Sequence, residues 1–423
     1  MINIQDVLER QQIELSDRLK RPYINRRIKT PLLNTALITV VLGPRRSGKS
    51  FFCSHTLHNL QESYGYVNFD DEQLIQIDDY DKIIAAMNAT YKSPKYLLLD
   101  EIQNLPRWEL FLNRLQRQGM RLMVTGSNAH LLSSELATHL TGRHLPVALF
   151  PFSFAEYLDA LYPDRRPAAQ ECSADLRSYL RDGGLPETVV TEVDKHDYIA
   201  TLFNAVIYKD IVKRHRLSNA ASIENLARYC MSNTGFEYSF RTLTSAADCK
   251  SDRTVRRYLR FLEEAFLIFS IDRFSHKFKE QASSNKKVYA IDNAWINAIG
   301  FSMSPNIGRL AENAVAIALK KLQLQNHHTF FFWKSSRHEE VDFVIVKDRK
   351  IDKLIQVCFN VSEPKTRERE IRALLKAGNE LKCSNLIILN EDKEEIQEAE
   401  WFGLSGKIHF LPLWKWLLDE NAV

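Results

Sequence analysis

Cysteine is scarce in this sequence and never paired. Its 423 residues hold six cysteines, Cys53, Cys172, Cys230, Cys249, Cys358 and Cys383, and no C-x-x-C spacing occurs. That speaks against a zinc ribbon or a disulfide scaffold, and points to reduced thiols in a cytoplasmic setting. Glycine (14) and proline (13) are also sparse, and there is neither an internal repeat nor a low-complexity tract. No apolar run nears the ~20 residues of a membrane-spanning helix. The opening Met1-Ile2-Asn3-Ile4-Gln5-Asp6 lacks the features of a signal peptide. Charge of one sign is missing too. The net value of +4 means that any contact with nucleic acid has to come from local clusters. What remains is a soluble composition, 45% apolar and 26% charged, long enough for roughly two to four domains with their own cores.

One stretch organises the rest. Val40-Val41-Leu42 runs into Gly43-Pro44-Arg45-Arg46-Ser47-Gly48-Lys49-Ser50, a strand followed by G-x-x-x-x-G-K-[ST], the P-loop pattern. Gly43 and Gly48 let the backbone turn tightly and aim N–H groups at phosphate oxygens. Lys49 would place a cation on the β- and γ-phosphates, and the Ser50 hydroxyl would face Mg²⁺. A helix starting near Phe51 would direct its positive end at the same anion. These residues call for ATP with Mg²⁺.

Downstream, Tyr96-Leu97-Leu98-Leu99-Asp100-Glu101 is a buried strand ending in carboxylates, the Walker B pattern. Asp100 is the expected Mg²⁺ partner, and Glu101 the base that activates water. The strand Arg121–Thr125 ends in Gly126-Ser127-Asn128. There Ser127 or Asn128 would either reach the γ-phosphate and attacking water or cap the next helix. Leu136–Leu140, Thr141-Gly142-Arg143 and the strand Leu145–Phe150 follow. Strands and helices alternate throughout, which predicts a parallel three-layer α/β core.

These motifs, with Pro151-Phe152-Ser153-Phe154-Ala155-Glu156 and Gly183-Gly184-Leu185-Pro186-Glu187, resemble in order and kind one group of proteins. It is the prokaryotic AAA-type ATPases with a nuclease-like carboxy-terminal domain of unknown function, and the resemblance covers nearly the whole chain. It implies that Arg143 matches the arginine that AAA enzymes present to the nucleotide, often across a subunit boundary, and hence a homo-oligomer. Otherwise Arg143 is a surface arginine. It further implies that Gly184 and Pro186 belong to an element touching the adenine, the alternative being a plain helix-ending turn. Arg181 is a weak candidate for a second sensor arginine.

Residues 166–235 read as a helical lid after a core spanning 1–165, whose first 30 residues are expected to be helical. Residues 236–299 read as a winged helix, with helices over Tyr238–Ala247 and Asp252–Glu264 and wing strands over Leu267–Ile271 and Lys287–Ile291. Arg253, Arg256, Arg257 and Arg260 recur at i, i+3, i+4 and i+7, a basic stripe suited to DNA. Pairing of Arg256 with Asp252 and Arg260 with Glu264 would instead make it a solvated face. Residues 300–423 resemble the PD-(D/E)xK nuclease core, with Glu312, Asp342 and Gln356 at metal-binding positions. Cys358 stands where an active enzyme has lysine, so nuclease activity is not expected. The leading expectation is an ATPase acting on DNA or a partner protein. The alternatives are an ATP-gated nucleic-acid-binding regulator and an ATP-dependent nuclease.

Overall fold

The computed structural model describes residues 3–28, 35–75, 77–127, 142–301, 306–325 and 328–419. They fall into two compact units, Met1–Phe150 and Pro151–Val423. Asn128, Leu136–Leu140 and Thr141 lie outside the described residues.

The first unit opens with α1 (Ile4–Leu19), capped by the Asn3 side chain. Its buried stripe is Ile4, Val7, Leu8, Gln11 and Leu15. Burying its leucines and valine contributes about 1.5–3 kcal/mol per side chain. Five strands follow: β1 (Ile38–Leu42), β2 (Tyr64–Asn68), β3 (Tyr96–Asp100), β4 (Arg121–Gly126) and β5 (His144–Ala148). They form one sheet in the order β2-β3-β4-β1-β5, parallel at every pairing. Strands covered on both faces can be apolar throughout, and β1 and β3 are buried along their whole length. Crossovers include α2 (Lys49–His58), α3 (Tyr80–Tyr91) and α4 (Trp108–Arg117). Helix α4 buries Trp108, Phe111, Leu112 and Leu115, an i, i+3, i+4, i+7 stripe. The expected parallel α/β core is present.

The second unit begins with α5 (Phe154–Leu161), α6 (Ala169–Asp182), α7 (Lys195–Ala205) and α8 (Ala220–Ser232). Pro-Phe-Ser-Phe-Ala-Glu turns out to be a capping box: Ser153 Oγ accepts from Glu156 N at 3.2 Å, and Glu156 accepts from Ser153 N at 2.7 Å. Gly183 has φ +77, which favours glycine, and a Cβ on Gly184 would collide with the Phe152 carbonyl. Gly184 O in turn accepts from Phe152 N at 2.7 Å, so the Pro-Phe-Ser-Phe-Ala-Glu and Gly-Gly-Leu-Pro-Glu segments pack on each other.

Next come β6 (Glu237–Tyr238), α9 (Phe240–Ala246), α10 (Asp252–Glu264), β7 (Ile268–Asp272) and β8 (Lys286–Ala290), with the strands in the order β6-β8-β7. The helix expected from Tyr238 starts at Phe240, because Glu237–Tyr238 pairs with β8 as a strand and Ser239 caps the helix. After α11 (Asn293–Ile299) and α12 (Ile307–Gln325), the chain makes β9 (Thr329–Lys334), β10 (Glu340–Lys347) and β11 (Lys350–Val357). It then makes α13 (Pro364–Leu381), β12 (Leu386–Asn390), β13 (Glu395–Trp401), β14 (Leu404–Pro412) and α14 (Leu413–Leu418). These six strands form one sheet, β13-β14-β12-β11-β10-β9, antiparallel from β9 to β11 and parallel from β11 through β12 to β14. The β13–β14 hairpin was not among the elements expected. Its outer strand alternates half-buried and exposed residues, and Glu395, Glu398 and Glu400 break up any apolar run.

Candidate nucleotide site

Parallel pairing of β1 with β4 and of β4 with β3 brings three strand ends together. Leu42 lies beside Gly126, and Leu99 beside Val124. The loops beyond them therefore converge at the carboxyl edge of the sheet, the usual ligand edge of such folds.

The P-loop is held closely there. Gly48 and Arg46 have φ of +88 and +66, so the turn uses left-handed backbone at two positions. A Cβ on Gly43 would collide with the Leu149 carbonyl oxygen, which makes glycine obligatory. Arg26 clamps the loop from outside, donating to Ser47 O at 2.9 Å and to Phe150 O at 2.6 Å. Lys49 is 5% exposed and donates to Gly43 O and Pro44 O at 3.2 and 3.0 Å. Burial pushes its pKa down, with Glu101 and Asp100 opposing. Phe51 follows Ser50 on the first turn of α2, and Arg46 points into solvent.

Ser50 Oγ donates to Asp100 Oδ1 at 3.0 Å, and Thr125 Oγ1 donates to the same oxygen at 2.5 Å. Thr125 also accepts from Glu101 N at 2.9 Å. Glu101 sits at φ +51 and ψ +46, a strained conformation for this residue type, of the kind found at functional sites. Its carboxylate is bonded by Gln103 Nε2 at 2.5 Å. Among the described residues, the buried hydroxyls of Ser47 and Ser127 have no hydrogen-bond partner. A buried hydroxyl without a partner costs free energy that a polar ligand would recover.

Two residues were missed by sequence reasoning. Tyr66 donates to Asp100 Oδ2 at 3.2 Å, and Arg18 donates to Tyr66 OH at 3.1 Å. Arg18 continues the buried stripe of α1 three residues beyond Leu15, and a polar residue on an apolar stripe is the signal that could have found it.

Arg143 is not brought to this edge. It immediately precedes β5, and its carbonyl accepts from Ile38 N at 2.9 Å, at the opposite end of the sheet. Five residues of β1 separate the two ends, roughly 17 Å at strand rise. The Arg143 side chain is exposed and makes no ion pair among the described residues.

In the second unit, Gly184 N donates to Asp292 Oδ2 at 2.8 Å, and Pro186 opens a five-residue helix. Arg181 is paired with Asp182 at 2.7 Å. Arg253, Arg256, Arg257 and Arg260 all lie exposed on α10. Arg260 pairs with Glu264 at 3.2 Å, while Arg256 stacks over Phe240 at 3.4 Å. Asp252 accepts from Thr244 at 2.8 Å and is not paired with Arg256.

Glu312 and Asp342 do come together, but around a lysine. Lys287, from β8, is 2% exposed. Its ammonium lies 3.0 Å from Glu312, 2.6 Å from Glu340 and 3.4 Å from Asp342. Gln356 joins strand to helix instead, accepting from Asp342 N at 3.1 Å and donating to Glu370 at 2.8 Å. Burial, with Glu370 next in weight, pushes the Cys358 thiol up to about 12. That thiol stays neutral and supplies no charge.

Comparison with known proteins adds three segments and several relatives. Residues 35–158 match the family model of an AAA domain. Residues 173–305 and 307–416 match two domains of unknown function, DUF8612 and DUF4143. An uncharacterized protein of Methanocaldococcus jannaschii is 32% identical over 416 residues, covering 94% of this chain and 92% of the relative. An uncharacterized Haemophilus influenzae protein is 29% identical over 348 residues, covering 78% and 84%. Among solved structures, AMPPCP-bound DnaA from Aquifex aeolicus is similar at 16% identity and TM-score 0.29, covering 61% of this chain and 88% of that one. The Thermotoga maritima RuvB branch migration motor gives 14%, 0.29, 62% and 88%.

Proposed function

The chain belongs to the family of the M. jannaschii relative, with an AAA domain near its amino end, and from that premise we propose that it binds ATP with Mg²⁺ and hydrolyses it. The observation that carries this reading is the meeting of Ser50 Oγ, Thr125 Oγ1 and Asp100 Oδ1 beside a P-loop whose buried Ser47 hydroxyl has no partner among the described residues.

The residues present fit both groups. Backbone N–H groups of the loop would surround the phosphates, and Lys49 would leave the Gly43 and Pro44 carbonyls to bond the β- and γ-phosphates. The oxygens of Ser50 and Asp100 are the hard donors that Mg²⁺ takes. When bound, Mg²⁺ would neutralise charge on the phosphates. Glu101 would accept a proton from the attacking water, and the Ser127 hydroxyl, just beyond the end of β4 and without a partner among the described residues, would orient it. The test is turnover of ATP by purified protein with and without Mg²⁺.

The distance of Arg143 from its own P-loop favours action on a neighbouring subunit's nucleotide, within a homo-oligomer. Gly184 and Pro186 carry the expectation of an adenine contact. The ATP-to-GTP preference of Pro186→Ala tests it.

The strand, two helices and hairpin from β6 to β8, within residues 236–299, are read as a winged helix. Its four exposed arginines support DNA as the partner. The last sheet, with its helix and three antiparallel strands before a parallel return, is read as nuclease-like. A lysine ammonium among its carboxylates and a neutral thiol at position 358 favour loss of activity over an ATP-dependent nuclease. No helix among the described residues is long and apolar enough to cross a membrane.

A further inference from the structure

Asp100 presents two oxygens to two different sets of partners. Oδ1 faces Ser50 and Thr125, the side on which a metal would sit. Oδ2 faces away, accepting from Tyr66 OH at 3.2 Å and lying 3.9 Å from Arg18 Nη1.

Arg18 reaches the two prospective metal ligands through intermediaries, Tyr66 toward Asp100 and Ser54 toward Ser50. Its Nη2 donates to Tyr66 OH at 3.1 Å, and its Nη1 reaches Ser54 Oγ at 3.5 Å. Ser54 in turn donates to the carbonyl of Ser50 at 2.6 Å. The guanidinium packs over the rings of Tyr66 and Phe51, 5.2 and 6.0 Å from their centroids. Asp100 is 2% exposed, and a carboxylate so buried requires both hydrogen bonds and opposite charge. Arg18 is the cation that stands behind it. It lies outside the segment matched by the AAA family model, residues 35–158, on a helix tied to the sheet edge. There Gln11 accepts from Asn68 N at 2.9 Å and donates to Asn68 O at 3.1 Å.

We propose that Arg18 is a positioning residue for Mg²⁺ binding, holding Asp100 through Tyr66 so that Oδ1 faces the metal and Oδ2 cannot turn toward it. This rests on the ATPase reading and extends the site to the helix that precedes the AAA segment. Partners that orient a metal ligand from behind are worth about 10- to 100-fold in metal affinity. The Arg18 guanidinium is engaged with Tyr66, Ser54 and Asp100 behind the P-loop, so the effect expected is on the metal and not on the nucleotide.

The experiment is a Mg²⁺ titration of a fluorescent ATP analogue bound to the full chain, run in parallel with Mg²⁺-dependent turnover. Arg18→Met should raise the Mg²⁺ midpoint about tenfold or more while leaving analogue binding without metal unchanged. Arg18→Lys, which keeps the charge and loses the fork, should recover part of the shift. Tyr66→Phe removes only the relaying hydroxyl and should shift the midpoint in the same direction, the double variant showing less than the sum. Should Arg18→Met fail to fold, Tyr66→Phe decides. Midpoints equal to wild type overturn the inference, as does a loss of metal-free binding as large as the loss with metal. Wild-type protein with no Mg²⁺-dependent binding overturns the ATPase reading itself.

Discussion

Ser50 and Asp100, half a hundred residues apart in sequence, share a 3.0 Å hydrogen bond at the mouth of the P-loop. The two groups that would face the metal are thus already together, which separates binding from chemistry. Lys49→Ala should lose ATP binding, by tenfold or more, because the main cation on the phosphates is gone. Glu101→Gln should keep binding and lose turnover by about 10²–10⁴-fold, the usual worth of a positioned base. Equilibrium binding and phosphate release measured on the same preparations check both. Wild-type turnover in Glu101→Gln would remove Glu101 from the role of base.

Arg143 lies at the far end of the sheet from its own P-loop, so the role proposed for it in hydrolysis would be exercised in a second subunit. Arg143→Ala should keep nucleotide affinity and lower turnover by up to about 10³-fold. Mixing it with Lys49→Ala protein should restore part of the rate, since one interface in the mixture has both intact groups. A monomer with full activity at all concentrations would refute this.

On α10 the four arginines are not equivalent. Arg260 is held by Glu264, and Arg256 is stacked on Phe240. Replacing Arg253 and Arg257 by alanine should therefore cost more DNA affinity than replacing the other two. Each lost phosphate contact should flatten the slope of log K against log salt by about 1. Unchanged binding in the quadruple variant would turn attention to a protein partner.

Among the described residues, Lys287 is the buried cation within the cluster of Glu312, Glu340 and Asp342, with the half-buried Lys334 at 3.7 Å from Glu340. Lys287→Met should destabilise the second unit by about 3–5 kcal/mol, the cost of leaving buried charge unpaired. The sign with pH follows from Asp342, whose pKa burial, and then Glu312, push well above the ordinary carboxylate value, with Lys287 opposing. A carboxyl group raised in the fold favours the folded state below its unfolded value, and that share is lost as pH rises. The deficit of Lys287→Met should thus shrink on acidification toward about pH 4, read as melting temperature against pH. Wild type should not cut DNA with Mg²⁺ or Mn²⁺. Cleavage that vanishes in Asp342→Ala would contradict the reading of lost activity.

Much of the nucleotide site is legible in the sequence because it is contiguous. A glycine-bounded loop between a strand and a helix, and an apolar strand ending in Asp100-Glu101, carry their meaning in neighbouring residues. What was illegible depends on contacts between distant segments. Arg18 belongs to a stretch read only as helical, and its partner Tyr66 sits in a strand whose aromatics look like core. Lys287, in Asn285-Lys286-Lys287-Val288, looks like part of an exposed basic pair. Only strand alternation, which sets Lys287 on the face of Tyr289 and Ile291, marks it as inward. Arg143 could be named from the resemblance, but its place at the opposite sheet end follows from the β1–β5 register alone.

The insertion of Lys287 among Glu312, Glu340 and Asp342 also bears on how such proteins change by exchange of parts. Lys287 lies within the segment matched over residues 173–305, and its three carboxylates within the one matched over 307–416. A border drawn between those segments cuts through a charge balance, so neither is a module that recombination can shuffle freely. A foreign carboxy-terminal segment lacking these acids would leave Lys287 buried without partners, and a foreign preceding segment lacking the lysine would leave the acids without their base. Exchange of either segment alone would therefore call for a compensating change at position 287 or among Glu312, Glu340 and Asp342.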